Sequence, residues 1–399
     1  MAWGQAGASS FLTLRWIDRR RVNGYSAVLL FVSFAAVGFA LIEALGPDGS
    51  DFLAFWSAGK LVLAGDPAAA YDLAATGAIQ AGVGRSDVFA FVNPPPLLLV
   101  IWPLGALSFP LAWLVWVAAT YALWLWATRP LAPRLTMPLA AYPGALLAAT
   151  HAQTGFVTSA LQACFARLLD RRPVAAGLCL GALIVKPHLA VLFPFALAAD
   201  RRWTAFLAAG AGVVLWLALA WALLGTETML AYRQSWQVSR VLMGEDDAAF
   251  FLRQATVYAQ FRAWGLPSAA VVAQAAAAQA AIALTWRGWA GKAGLSAKLA
   301  LLFALTPLAT PYMFNYDLPF LAVPSLWLVA QSVAAPRGRF ERAELLALYL
   351  APALARTFAL PLQVNLTPLV CAWLAWRVWQ RMAQESVENA ADGAVLRLS

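Results

Sequence analysis

Charge is scarce in this sequence. Only 12% of its 399 residues are Asp, Glu, Lys or Arg, while 62% are hydrophobic. A soluble chain of this length could not cover so much apolar surface, because surface-to-volume scaling demands a polar exterior. Histidine and cysteine are scarce too. Two histidines are too few for a histidine-based metal site. The three cysteines, Cys164, Cys179 and Cys371, fall inside apolar runs with no CxxC spacing, and read as small buried hydrophobes. Carboxylates remain as oxygen ligands for a divalent ion, and Glu245-Asp246-Asp247 is the only run of them. Three adjacent acids on a helix cannot all face one ion, so a solvated loop is the simpler reading. No metal and no cofactor are expected.

What the sequence has instead is long apolar runs and tryptophan. Its mean hydropathy is +0.69. Its 19 Trp suit a membrane–water interface, where the ring is half dry and the N–H is wet. The net charge of +9 forms no stripe of the kind nucleic acid needs, so no nucleic-acid partner is expected. Lys and Arg sit in short clusters between apolar runs, as loop charges do: Arg15 with Arg19-Arg20-Arg21, Arg129 with Arg134, Arg171-Arg172, and Arg201-Arg202. Further on come Arg287, Lys292 and Lys298, then Arg337, Arg339 and Arg342, and finally Arg377 and Arg381. Such clusters mark cytoplasmic loops.

The apolar segments between the clusters make about twelve crossings with both termini inside. The first, residues 25–45, has no small-residue cleavage site behind it and reads as an anchor rather than a removable signal peptide. The expected architecture is therefore an all-α polytopic membrane protein. It has a cytoplasmic N-terminus over 1–24, one membrane domain over 25–382 and a short cytoplasmic tail over 383–399. The Ala- and Trp-rich composition points to a bacterial inner membrane, with membrane lipids as constant partners.

Three pairs of crossings are short. Residues 136–150 and 156–170 turn at His151-Ala152-Gln153-Thr154-Gly155, residues 172–185 and 188–199 at Lys186-Pro187-His188, and residues 299–313 and 318–333 at Asn315-Tyr316-Asp317. Each falls below the roughly twenty residues of a perpendicular span. Helices that stop short leave backbone groups unpaired, which is tolerated only inside protein or beside a water-filled cavity. The stretch 94–128 has room for one crossing plus a re-entrant or surface piece beginning at Asn93-Pro94-Pro95-Pro96; counting two crossings would put every later Arg cluster outside. Two outer loops follow, 46–93 and 225–265. In the first, Phe52, Phe55 and Trp56 at helical spacing predict a helix lying on the membrane surface.

This topology sends Asp51, His151, Gln153, Lys186, His188, Arg233, Tyr316 and Asp317 to one face, the extracytoplasmic one. Lysine and acids at the tips of short helices are costly unless paired or functional, so a shared polar cavity is the economical explanation. Asp51 is either a proton acceptor beside aromatics or the cap of a surface helix. Lys186 either meets a phosphate or snorkels to the interface. His188 reads as a polar cavity lining before a proton carrier. Arg356, alone in the apolar run 343–361, forms a structural ion pair or holds a phosphate or carboxylate.

In order, these segments read Asp51-Phe52-Leu53-Ala54-Phe55-Trp56-Ser57-Ala58-Gly59-Lys60, Leu63-Ala64-Gly65-Asp66-Pro67, Tyr71-Asp72, Phe91-Val92-Asn93-Pro94-Pro95, the Gln153 turn, Lys186-Pro187, Thr310-Pro311 and Tyr316-Asp317. Over roughly residues 25–335 the chain resembles glycosyltransferase family 87, multi-spanning bacterial enzymes that include polyprenyl-phosphate-mannose-dependent mannosyltransferases. The resemblance implies the C-type glycosyltransferase fold, and transfer of a hexose from a polyprenyl-phosphate sugar to a lipid or glycan acceptor, with inversion. It implies Asp51 as the base and Lys186, aided by Arg356 or Arg233, as the partner of the donor phosphate. Gln153, His188, Tyr316 and Asp317 become substrate-binding, with Asp317 orienting sugar hydroxyls. Three positions depart from the family pattern: Asn93 replaces a Tyr before the prolines, Ala152 replaces the Gly before Gln153, and Tyr316-Asp317 stands where some members carry His. The rival reading is a secondary transporter, whose discontinuous helices also have polar apices. Transporter sites lie near the bilayer midplane, whereas these polar residues cluster at one end of the spans.

Overall fold

A computed structural model describes residues 13–395 apart from 15, 47–48, 85–87, 245–246 and 337. Apolar runs become helices wherever the backbone can satisfy its own hydrogen bonds, and capping residues decide where they begin. The first long helix, α1 (Arg19–Ala44), starts where the Asp18 side chain accepts from the Arg21 N–H at 2.8 Å. The next, α2 (Phe52–Leu63), follows Asp51, and α3 (Leu73–Ala81) is capped by Asp72, which accepts from Ala74 and Ala75. Residues 95–106 form short broken turns before α4 (Phe109–Thr128). The stretch 94–128 thus holds one long helix and one short broken piece.

The three short pairs break where their polar apices predicted. Helices α5 (Pro143–Thr150) and α6 (Gly155–Leu168) flank the Gln153 turn. Helix α7 (Pro173–Gly181) runs into 3-10 turns on either side of Lys186. Beyond α8 (Trp203–Gly244) and α9 (Pro267–Ala290), α10 (Leu295–Ala309) gives way to a 3-10 segment over Asn315–Leu321 and then α11 (Ala322–Ala334). Helices α12 (Glu341–Leu362) and α13 (Thr367–Val395) close the chain. Among the described residues there is no strand, and six helices are long and apolar enough to cross a membrane. Five shorter apolar helices accompany them, α2, α10 and the segments at 95–106, 173–185 and 187–199 included.

Three expectations change. Helix α2 forms, but it does not lie on a membrane surface: Phe52 to Gly59 are all buried. Its packing depends on two glycines, because a Cβ on Gly105 would collide with the backbone at Gly59 and Lys60. Trp56 then donates its indole N–H to the Leu107 carbonyl at 2.9 Å. The outer loop over 225–265 begins as helix, since α8 continues past a kink at Gly225 (φ 81°) to Gly244. The tail after 383 also continues as helix, to Val395. Glu245 and Asp246 lie outside the described residues; Asp247 is a helix cap, accepting from the Ala249 N–H at 2.8 Å.

The basic clusters converge. Arg202 pairs with Asp170 at 2.7 Å and with Asp200, which also receives Lys298 at 2.7 Å. Arg377 and Arg381 both reach Glu341, and the neighbouring Arg342 donates to the Leu14 and Ile17 carbonyls. A side chain on Gly288 would approach Met382, beside Arg381, so α9 packs closely on α13 at this end. Helix α10 leads from Lys298 at this end to Thr310-Pro311 at the other, a 15-residue helix about 22 Å long.

Candidate active site

At that other end the broken helices leave a cavity of about 750 Å³. Asp51, His151, Gln153, Lys186, His188, Tyr316 and Arg356 all line it, so residues as far apart in sequence as Asp51 and Arg356 share one space. Phe55, Leu73, Val88, Phe89 and Leu147 supply an apolar side.

Asp51 stands at the start of α2, where a cap would be, yet its side chain makes no capping bond. Ser50 takes that place, its Oγ accepting from the Phe52 N–H at 3.3 Å. The Asp51 carboxylate instead accepts from the Gln153 amide Nε2 at 3.2 Å. Gln153 reaches it because Ala152 adopts a left-handed backbone (φ 48°) that reverses the chain after α5. That conformation favours glycine, and glycine is what the family pattern carries before Gln153. Gly155 completes the turn by necessity, since a Cβ there would strike the Tyr316 carbonyl oxygen.

Lys186 and Asp317 find each other. Nζ lies 2.7 Å from Oδ1, with 9% and 1% of the two side chains exposed. Lys186 also sits 4.8 Å from the centre of the Tyr316 ring, which stacks on Phe314 and leans on His151. Asp317 accepts from the Phe314 N–H at 3.3 Å as well, and does not line the cavity. Its carboxylate is thus turned to Lys186 and the Phe314 amide and not to the cavity. His188 packs edge-on to Tyr312, and its buried Nε2 has no hydrogen-bond partner among the described residues. Tyr312 lies near both acids; burial, with the Asp317 and Asp51 charges, pushes its phenol above its ordinary pKa and keeps it a proton donor.

Arg356 lines the cavity half-buried, and the structure gives it no acidic partner among the described residues, contrary to the ion-pair reading. Arg233 is exposed and is absent from the lining, although its neighbour Tyr232 contributes to it. Sequence reasoning missed Arg253, which does line the cavity. Its signal was the one that singled out Arg356: an arginine outside every basic cluster. Among the described residues no three His, Cys, Asp or Glu side chains gather in a metal-holding group.

A family model for glycosyltransferase family 87 matches residues 91–311, more than half of the chain. The chain belongs to glycosyltransferase family 87. Membership makes this protein a membrane glycosyltransferase, an enzyme that transfers a sugar group. The matched stretch of this family 87 enzyme holds Gln153, Lys186, His188 and Arg253, whereas Asp51, Tyr316, Asp317 and Arg356 lie outside it. No curated protein and no solved structure matches the chain.

Proposed function

We propose that this glycosyltransferase moves a hexose, mannose by its resemblance, from a polyprenyl-phosphate sugar to a lipid or glycan acceptor on the extracytoplasmic face, with inversion at the sugar carbon. The observation that carries the reading is Asp51: a carboxylate at a helix start that declines to cap the helix and turns into a cavity with a cationic wall. A free carboxylate held by one neutral amide suits a general base. Asp51 takes the acceptor hydroxyl proton as that oxygen attacks the sugar carbon. The bond from that carbon to the phosphate oxygen breaks, its electron pair leaving with the phosphate. Cations fixed in the wall stabilise the charge that accumulates there. The apolar side, with Phe55, Leu73 and Leu147, suits the first isoprene units of the lipid tail. Gln153 holds the base, Asp317 holds Lys186, and His188 and Tyr316 contact the sugar.

The same reading counts α5, α6, the segments at 173–185 and 187–199, α10 and α13 as crossings beside the six long helices, which gives about twelve in a bacterial inner membrane. The converging basic clusters then face the cytoplasm and the cavity faces outward, in keeping with the positive-inside rule. The test is transfer by purified protein in detergent, supplied with radiolabelled polyprenyl-phosphate mannose and a membrane lipid extract as acceptor. Wild type should consume the donor, and Asp51→Asn should lose about 10²- to 10⁴-fold in rate while keeping its elution profile. Equal consumption by both proteins would remove Asp51 from the role of base.

A further inference from the structure

The charges around the cavity do not balance. Lys186 is neutralised by Asp317 at 2.7 Å, and Asp51 is bound by an uncharged amide. This leaves two guanidinium groups, Arg253 and Arg356, with no acid partner among the described residues. They come from separate elements, the segment after α8 and helix α12, and stand close enough to repel one another. Arg356 lies 15 residues, or about 22 Å, along α12 from Glu341 at the basic end, which places it at the cavity end of that helix.

Arg253 is built into position. Its carbonyl oxygen accepts both from the Asn315 backbone N–H at 3.2 Å and from Asn315 Nδ2 at 2.8 Å. The next residues are tied down too, with the Ala255 N–H donating to the Met313 carbonyl at 2.7 Å. Gln254, Ala255 and Thr256 are fully buried, and Asn365 Nδ2 donates to the Gln254 carbonyl at 2.6 Å. Arg253 itself is exposed beside them. So much ordered backbone fixes where this exposed arginine leaves the chain, and only its side-chain rotamers remain to be ordered on binding. Two guanidinium groups against the single free carboxylate of Asp51 leave the cavity with an excess of positive charge, which an anion between them relieves.

We propose that Arg253 and Arg356 form a clamp for a phosphate ester, and that they, rather than Lys186, meet the charge of the donor's phosphate. The assignment rests on the transferase reading for the identity of the donor, but the anion site itself does not. Planar guanidinium forks match phosphate oxygens in pairs, which a lysine point charge does not. Lys186, already paired, keeps its place as a wall of the sugar pocket.

Binding tests this apart from catalysis. The full-length protein, in nanodiscs of neutral phosphatidylcholine, would be titrated with undecaprenyl phosphate, with undecaprenol and with inorganic phosphate, by tryptophan fluorescence. Arg253→Gln and Arg356→Gln should each weaken undecaprenyl phosphate binding by about tenfold or more, with Arg253→Lys in between. Arg287→Gln, on α9 far from the cavity, should bind as wild type. Undecaprenol should bind at least tenfold more weakly than the phosphate, by the same estimate. Inorganic phosphate binding as tightly, and lost in the same variants, would keep the clamp but make its ligand a free phosphate. Wild-type affinity in Arg253→Gln, or equal binding of undecaprenol, would overturn the proposal. So would a folded Lys186→Met variant that loses more affinity than either arginine variant. Loss of binding in the arginine variants together with no transfer by wild type from any polyprenyl-phosphate sugar would leave the clamp standing and remove the proposed donor.

Discussion

The buried Lys186–Asp317 pair offers the sharpest measure of how the site is held. At 2.7 Å and an effective dielectric of about 20, the Coulomb attraction is roughly 6 kcal/mol. Most of it offsets the cost of taking both charges out of water, so the net worth of the pair is small. Removing one partner is different. In Lys186→Met the carboxylate of Asp317, 1% exposed, is left without its cation, at a cost of about 3–5 kcal/mol. Asp317→Leu strands the ammonium instead, and also orphans the Phe314 N–H, for a similar loss. The double variant Lys186→Met/Asp317→Leu removes both charges and should recover most of that loss, to within about 1–2 kcal/mol of wild type. The assay is denaturant unfolding in mixed micelles, followed by tryptophan fluorescence, with size exclusion to check each protein. The expected signature is a coupling energy of about 3 kcal/mol or more across the double-mutant cycle. Losses that add to within about 0.5 kcal/mol would mean that the two residues do not depend on each other, and would refute the pairing as the reason Asp317 is buried.

Two further outcomes follow from the turn that carries Gln153. Gln153→Ala frees the Asp51 carboxylate from its one amide donor, and should lower kcat by about tenfold with little change in donor KM, read in the transfer assay. A change confined to KM would move Gln153 from positioning the base to binding the donor. Ala152→Gly replaces a left-handed alanine with the residue that conformation favours, and should stabilise the protein by about 0.5–1 kcal/mol without altering transfer. Destabilisation in thermal unfolding would mean that the turn carries no backbone strain for glycine to relieve.

Much of this protein is legible in its sequence because the bilayer constrains it so strongly. Apolar runs of spanning length must be helices, and helices that stop early at Lys186, Gln153 and Tyr316 must border something polar. The broken pairs at these three turns form where the residues predict them. The stretch 94–128, read as one crossing with a shorter piece before it, holds one long helix, Phe109–Thr128, after broken turns. These are local properties, set by hydropathy and backbone hydrogen bonding within a few tens of residues.

Contact between distant segments is another matter, and there only the tertiary structure decides. Periodicity makes Phe52–Leu63 an amphipathic-looking helix, but whether its apolar residues meet lipid or protein depends on Gly105, which lets another segment press against its backbone. An arginine in an apolar run announces a cost without naming what offsets it. Arg356 lines the cavity with a second arginine, and neither has an acid partner among the described residues; Arg233, so similar on paper, is exposed outside the cavity lining. Lys186 and Asp317 are 131 residues apart, and each alone read as a ligand for substrate; their pairing followed from two helix tips arriving at one place. Which charges neutralise one another, and which are left for a ligand, is settled by distances of a few ångströms that no sequence spacing encodes.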